Sequence, residues 1–319
     1  MTIRSHGPRV LLVGAGAVGL AYGFHLQRGG ARVSFLVRPK YAESVRAGVC
    51  VHCHNGPHRG AHDFRDFGVL TDTQEVENHR WDQVWLCVSS PALRGPWLAS
   101  LIGAIGDASI ITLQPGLADR TYLLQWVPQE RLVSGLIALV SYPTPLPGGH
   151  LSPGMAWWFP PFAPSRFSGP PGAVTSVLRA LERGGCPAKR ATRVFDTVAF
   201  ASGLMMPIIA ALEVAGWSLQ TVLDRPTRTL ATRAARQASQ LARPGHRRWI
   251  AWLVSGGLSL KILGFVAPRV VPFDLETYLR VHFSKVGSQT RGMLGHYCER
   301  AQASSQPYDA LQTLLERLD

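Results

Sequence analysis

A run of four apolar residues followed by three closely spaced glycines most strongly constrains the fold of this chain. Residues 10–19 read VLLVGAGAVG. The apolar run predicts a buried parallel strand, and the GxGxxG pattern predicts a tight turn into a helix over about residues 18–27. The amino end of such a helix presents free N–H groups and a positive dipole end to phosphates. We therefore predict a dinucleotide-binding unit with cofactor contacts at Gly14, Ala15, Gly16, Ala17, Val18 and Gly19.

The end of the second predicted strand, residues 32–37, indicates which dinucleotide binds. An NAD-selective site usually places a carboxylate here, to accept a hydrogen bond from the ribose 2′-hydroxyl. This chain instead has Arg38 and Lys40, with no carboxylate before Glu43. Because a guanidinium pairs well with a 2′-phosphate, these residues predict NADP(H). The alternative is that both are solvated basic residues in a surface loop.

Composition supports a folded intracellular protein. The 319 residues are 46% hydrophobic and 17% charged, which favours an ordered chain long enough for two domains. Five cysteines, an odd number without a framework spacing, predict reduced thiols and a cytoplasmic location. Residues 1–9 are too short and polar for a secretory signal.

The net charge of +13 leaves the nature of the partners open. No nucleic-acid-binding motif accompanies the basic residues, so we expect a solvated helix face and no nucleic acid. Lys261 interrupts the apolar run over residues 249–267, which predicts a buried helix and no transmembrane segment. Docking of basic and apolar helices on a membrane surface is the alternative. The clustered arginines are Arg225, Arg228, Arg233, Arg236, Arg243, Arg247 and Arg248.

Residues 49–70 predict a β-hairpin with its turn at residues 55–57, and they contain several potential zinc ligands. Cys50, His52 and His54 would share one face of a strand, whereas Cys53 would lie on the other. Tetrahedral zinc sites use paired and separated ligands, so we predict no metal site.

Further strands predicted over residues 81–88, 109–113 and 132–138 extend the sheet. Polar and turn-forming residues follow the first two, at the sheet edge where ligands bind in parallel α/β folds. From about residue 192 the pattern is helical. We predict an α/β fold: a Rossmann-type NADP-binding domain over residues 1–190, then an all-helical domain for substrate binding and dimerisation over residues 191–319. The additional predicted cofactor contacts are Ser89, Ser90, Gln114 and Pro115.

The order of these features resembles the ketopantoate reductase (2-dehydropantoate 2-reductase) family. The resemblance covers the glycine turn, Arg38, the hairpin centred on Gly48, the QPG turn at residues 114–116 and later helical segments. Those segments are ASGLMMP at residues 201–207, SKVGSQT at residues 284–290 and the late Gln306-Pro307. It implies NADPH, a small-molecule substrate, and hydride transfer to a 2-oxo carbon with a lysine as proton donor.

The chain departs from the family at the residues that carry this chemistry. Val198 stands where the resemblance places the lysine, and Pro115 stands where it places an asparagine. Further asparagines fall on Ser202 and Met206, and an acidic residue falls near Gly287. We therefore expect reduction of a C=O or C=N group other than that of ketopantoate. An imine can bring its own proton, so it depends less on a lysine.

Three side chains of the helical region are candidate catalytic residues: Lys285, Ser202 and Glu213. On one helix, His282, Lys285 and Gln289 would share a face, where Lys285 could anchor a carboxylate or supply a proton. The alternative is a solvated helix face. Glu213 lies in an apolar run, where burial would raise its pKa, or where it would pair with an arginine.

Two other functions stay open. One is a non-catalytic NADP(H)-binding redox sensor or partner protein, and the other is a 2-dehydropantoate 2-reductase with relocated catalytic residues. We also expect a homodimer, with an interface near Trp249.

Overall fold

The computed structural model describes residues 7–242 and 256–318. The chain divides into two compact units. The N-terminal unit comprises Met1–Gln114 and Ala118–Phe195, and the C-terminal unit comprises Pro115–Leu117 and Asp196–Asp319.

The N-terminal unit contains a mainly parallel sheet and a smaller second sheet. In chain order, the strands are β1 (Arg9–Val13), β2 (Arg32–Leu36), β3 (Val49–Cys53), β4 (Gly60–Phe64), β5 (Gly68–Leu70), β6 (Gln83–Leu86), β7 (Ser109–Thr112), β8 (Leu132–Leu136), β9 (Val140–Thr144), β10 (Gly154–Trp158), β11 (Ser165–Ser168) and β12 (Ala188–Arg190). The main sheet has the order β12-β11-β8-β7-β6-β1-β2-β5, in which only the β11–β8 pair is antiparallel among the described strands. The strand order reverses between β1 and β6, so the switch point where ligands bind in such sheets lies beside β1.

Helices cover both faces of the main sheet. They are α1 (Ala17–Arg28), α2 (Pro39–Arg46), α3 (Thr73–Glu77), α4 (Ser90–Leu93), α5 (Trp97–Ala104), α6 (Asp119–Leu123) and α7 (Pro171–Arg183), with a 3₁₀ turn at Gln129–Arg131. Successive residues of β1 point to opposite faces, as a strand requires. Val10 and Leu12 join the core beneath α1 and α7, whereas Leu11 and Val13 join the core beneath α5. This two-sided burial explains why β1 is a continuous apolar run.

The second sheet has the order β4-β3-β10-β9. The predicted hairpin forms between β3 and β4, but it is shorter than expected, because β5 pairs in parallel with β2 in the main sheet. Cys50 Sγ lies 3.5 Å from His52 Nε2, and His54 Nε2 lies 2.6 Å from the Tyr142 hydroxyl. Within the described part of the chain, no group of three or more His, Cys, Asp or Glu side chains could hold a metal ion. All five cysteines are free.

The described part of the C-terminal unit is helical. After α8 (Val194–Val214), which begins in the last residues of the N-terminal unit, come α9 (Leu219–Leu223), α10 (Arg225–Ala242), α11 (Gly257–Val270), α12 (Leu275–Lys285), α13 (Gly287–Ala303) and α14 (Asp309–Glu316). Apolar side chains of α8, α10, α13 and α14 form its core. Among the described helices, α8 alone is long and apolar enough to cross a membrane, with a mean hydropathy of 1.8, but it is mostly buried, as a core helix is.

The structure corrects the prediction that His282, Lys285 and Gln289 share one helix face. The helix carrying His282 ends at Lys285, and a new helix starts at Gly287. Val286, between them, has φ −114° and ψ 21°, outside the helical region. The i, i+3, i+7 spacing therefore does not place Gln289 beside the other two.

Candidate functional site

The glycine turn lies at the carboxyl end of β1, and its three glycines differ in their surroundings. Gly14 has φ +102°, a conformation that favours glycine, and its N–H donates to the carbonyl oxygen of Leu36 at 2.9 Å. A Cβ on Gly19 would lie 2.1 Å from the Gly14 oxygen, so the helix packs directly on the turn. Around Gly16, by contrast, a Cβ would meet no described atom within 4 Å. Two glycines thus build the turn, and the third leaves open space above it.

The amino end of α1 borders this open space. Its N-cap is Gly16, which has no side chain to bond the first N–H groups, and its first turn carries no acidic residue. Helix α1 is 12 residues long, so its aligned peptide dipoles give this end a partial positive charge. The donors and the charge suit an anionic group such as a pyrophosphate.

Two cations follow β2 at the same edge of the sheet. Arg38 is the N-cap residue of α2, and its Nη2 donates to the Tyr41 hydroxyl at 3.1 Å. The Arg38 guanidinium and the Lys40 ammonium each lie 5.0 Å from the centre of the Tyr41 ring. The exposed cations therefore converge on one aromatic side chain.

A buried polar cluster joins the loops that follow β6 and β7. Asp119, 1% exposed, accepts a hydrogen bond from the Ser90 hydroxyl at 2.7 Å and lies 2.7 Å from Nη1 of Arg94. The same Arg94 nitrogen donates to the Ser90 carbonyl oxygen at 2.6 Å. Sequence reasoning included Ser90 and missed Asp119 and Arg94. The available signal was an aspartate in the first turn of the helix that follows β7, since acidic residues favour the first turn.

The Gln114 side chain ties together the ends of β6 and β7. Its Oε1 accepts from the Thr112 hydroxyl at 2.7 Å. Its Nε2 donates to the carbonyl oxygens of Leu86 and Val88 at 2.9 and 2.8 Å. The side-chain amide of Gln114 is thus fully engaged within the protein. Pro115 has no N–H and opens the short segment that groups with the C-terminal unit.

Two of the three candidate catalytic residues lie on α8. Ser202 is buried at 7% exposure, beside the point where Gly203 packs against the backbone of α10. Glu213 pairs with Arg291 at 2.9 Å, and the same arginine donates to the Leu318 carbonyl oxygen at 2.6 Å. Of the two interpretations of Glu213, pairing with an arginine is the one observed.

The third candidate, Lys285, is exposed at the end of α12. Its neighbour His282 packs edge-on against Phe283, with ring centres 4.8 Å apart. Burial first, and then the Lys285 charge, lowers the pKa of His282 below its ordinary value. Lys285 is therefore the candidate of the three that is open to solvent. Trp249, Arg243, Arg247 and Arg248 lie outside the described residues.

Comparison with known proteins finds a family match for the N-terminal part of the chain. Residues 10–145 match the family model described as ketopantoate reductase PanE/ApbA. No curated protein matches the chain. The solved structure of 2-dehydropantoate 2-reductase from Geobacter metallireducens GS-15 is 17% identical, with a TM-score of 0.69, covering 97% of this chain and 98% of that one.

Two further structures share the fold. A PanE/ApbA family ketopantoate reductase from Ralstonia eutropha JMP134 is 17% identical with a TM-score of 0.70, and 97% of each chain is covered. D-Mandelate dehydrogenase with NADH and anilino(oxo)acetate is 10% identical with a TM-score of 0.73, covering 97% of this chain and 96% of that one. The predicted fold class, a Rossmann-type domain followed by a helical region, is confirmed.

Proposed function

We propose that this chain, whose residues 10–145 match the ketopantoate reductase family model, is an NADPH-dependent reductase of that family. Its substrate is a small molecule with a C=O or C=N group other than that of ketopantoate. The open space at Gly16 beside the uncapped end of α1 is the observation that carries this proposal. When bound, the nicotinamide dinucleotide supplies a hydride.

The glycine turn would hold the pyrophosphate of the cofactor. Gly16 lets the phosphates approach the backbone, and the free N–H groups at the start of α1 donate to them. Ala15, Ala17 and Val18 belong to the same turn. Ser89 caps α4 without a side-chain hydrogen bond, so its hydroxyl can also donate to the cofactor.

We assign the preference for NADPH to Arg38, with Lys40 beside it. Both are exposed at the end of β2, and Tyr41 holds the Arg38 guanidinium in place. A 2′-phosphate would accept charge-assisted hydrogen bonds from this guanidinium, which are worth about 1.5–3 kcal/mol each. A ribose hydroxyl gains much less from the same contact.

Fluorescence titration with NADPH and NADH tests this assignment. Arg38→Ala is expected to weaken NADPH binding roughly 10- to 100-fold and NADH binding only slightly. Arg32→Ala is the matched control, since Arg32 is exposed at the opposite end of the same strand. Equal losses for the two cofactors would contradict a 2′-phosphate contact.

This chain differs from the ketopantoate reductases in the residues available to supply the proton that completes the reduction. A hydride delivered to a carbonyl leaves an alkoxide, which needs a nearby proton donor or cation. The sequence has no lysine or arginine between Arg193 and Arg225, and Val198 is buried. An iminium substrate carries its proton already, which is why we favour C=N alongside C=O.

Lys285 is our candidate for holding the acidic group of the substrate or for donating the proton. Lys285→Ala is expected to lower turnover roughly 100-fold and to leave NADPH affinity unchanged. Arg280→Ala, which removes an exposed cation from the same helix, is the control. Unchanged turnover in the Lys285 variant would remove this residue from the site. Ser202 and Glu213 are expected to matter less, because one is buried and the other is paired with Arg291.

A substrate panel separates the three functions. The chain is mixed with NADPH and either 2-oxo acids, including 2-dehydropantoate, or cyclic imines, and nicotinamide absorbance is followed. Oxidation with an imine or another oxo acid supports the proposal, whereas fast oxidation with 2-dehydropantoate favours relocated catalytic residues. NADPH binding without product, even in a single turnover, would make the chain a sensor. The cytoplasmic location and the homodimer stay predictions, and light scattering tests the latter.

A further inference from the structure

One face of α11 is apolar and exposed. Leu258 is 72% exposed, Ile262 is 55% exposed and Phe265 is 62% exposed. These side chains follow one another at helical spacing and so form a continuous stripe. We call this stripe the α11 face; its members are Leu258, Ile262, Phe265, Val266 and Val270.

The opposite side of α11 packs on the C-terminal unit. Leu260 is 5% exposed, and a Cβ on Gly264 would lie 2.8 Å from the Leu223 side chain. The helix is therefore seated with its apolar stripe directed away from its neighbours among the described residues. Contiguous exposed apolar patches on soluble proteins usually mark an interaction site.

The charged side chains of α11 are all cations. Lys261 is exposed beside Ile262, and the Arg269 guanidinium lies 3.7 Å above the centre of the Phe265 ring. The sequence over residues 225–270 contains nine arginines and lysines and no aspartate or glutamate.

Acidic side chains begin only at the edge of a groove of about 670 Å³ beside Phe265. There Asp274 accepts from the Thr277 N–H and Glu276 accepts from the Leu219 N–H, both at 2.6 Å. Both carboxylates therefore lie at helix termini beside the groove, and neither belongs to α11.

We propose that the α11 face docks on a membrane surface rich in anionic phospholipid. The helix would lie in the plane of the interface, with its apolar stripe among the acyl chains and its cations at the headgroups. Each lysine or arginine near such a surface contributes attraction that salt screens. This inference is independent of the proposed reductase activity.

Charge argues against a second copy as the occupant, and side-chain type argues against nucleic acid. An isologous dimer would place the same cationic segment of each copy against that of the other, so like charges would meet. Nucleic acid would match the charge, but bases are bound by stacking on aromatic side chains. Four of the five members of the α11 face are aliphatic. Acyl chains suit such side chains better.

Cosedimentation of the full chain with sucrose-loaded vesicles tests the proposal. Vesicles of phosphatidylcholine alone are compared with vesicles of three parts phosphatidylcholine to one part phosphatidylserine, at low and high salt. The chain is expected to bind the anionic vesicles and to be released by salt. Phe265→Ser should weaken binding roughly tenfold, and Lys261→Gln should weaken it about fivefold.

Two matched controls separate the face from general effects. Phe162→Ser removes a 102% exposed phenylalanine from the N-terminal unit, and Lys189→Gln removes an exposed lysine there. Both should bind vesicles as the wild type does, and thermal unfolding checks that every variant is folded. Equal binding to neutral and anionic vesicles, or full binding by the Phe265 variant, would overturn the proposal.

The alternative occupants give different results. Loss of a dimer in the Phe265 variant, seen by light scattering without vesicle binding, would assign the α11 face to a second copy. Binding of duplex DNA that is indifferent to Phe265→Ser, again without vesicle binding, would assign the cations to nucleic acid. A lower Tm for Phe265→Ser, without vesicle binding by the wild type, would show that the chain itself covers the face.

Discussion

Acidification is expected to destabilise the N-terminal unit through one buried histidine. His25 in α1 is 1% exposed, and its ring centre lies 5.2 Å from that of Trp157 and 5.4 Å from that of Phe159. Its Nδ1 lies 2.7 Å from the Gly184 carbonyl oxygen. Because a carbonyl can only accept, Nδ1 carries the proton of the neutral ring. Nε2 is buried and has no hydrogen-bond partner among the described residues.

These surroundings oppose a positive charge on His25. Burial above all, with smaller contributions from His58 and Arg28, lowers the pKa of His25 to about 4, although the bond to Gly184 acts in the other direction. The unfolded chain takes up this proton near the ordinary pKa of 6.5. Between these values the unfolded state binds more protons, so the free energy of unfolding falls as the pH falls. The full loss is about 3 kcal/mol, of which about 2 kcal/mol is reached at pH 5.

Urea unfolding at pH 7 and pH 5 measures this loss. His25→Asn keeps an N–H near the Nδ1 position and cannot take up a proton. This variant is expected to be less stable at pH 7, because it leaves a cavity, but to lose about 2 kcal/mol less than the wild type on acidification. His150→Asn, at an exposed site, should keep the wild-type pH dependence. The same loss in wild type and His25→Asn would refute the reasoning.

Four further substitutions are expected to separate binding from stability. Gly19→Ala should lower the free energy of unfolding by about 1–3 kcal/mol, because the new Cβ would lie 2.1 Å from a backbone oxygen. Gly16→Ala should keep the Tm of the wild type and lose NADPH binding, because its Cβ would enter open space. Scanning calorimetry and a titration with NADPH distinguish the two variants. Asp119→Asn should lower stability by about 2–3 kcal/mol in urea unfolding, because it weakens a buried ion pair, while Asp63→Asn at an exposed pair should change it by less than about 1 kcal/mol. Glu213→Gln should lower the Tm by a few degrees and leave turnover unchanged, because it weakens the ion pair with Arg291. A large drop in turnover would instead indicate that Glu213 takes part in catalysis.

The fold was largely predictable because its signals are local in sequence. The strand before Gly14 and the helix after Gly16 follow from apolar runs and from the conformational freedom of glycine. The hairpin was predicted too long, because the pairing of β5 with β2 depends on residues more than 30 positions apart. The helix containing His282 was also predicted too long, since the spacing of side chains gave no sign of the break at Val286.

The candidate site was predictable only where one short segment builds it. The glycine turn and Arg38 come from neighbouring residues, so the sequence indicated both. The roles of Gln114 and Asp119 depend on partners 26 to 29 positions away in the chain. Hydrogen-bond partners at that separation have no sequence pattern, so Asp119 was missed and the partners of the Gln114 side chain were not anticipated.

By itself, the sequence determined that a strand, a glycine turn and a helix open this chain and that cations follow the second strand. Those features depend on backbone conformation and on burial, which neighbouring residues set. Only the tertiary structure decided that Glu213 pairs with Arg291, 78 positions away, and that the apolar residues of α11 face outward. Both outcomes depend on which helix packs against which, and that packing is a property of the folded chain as a whole.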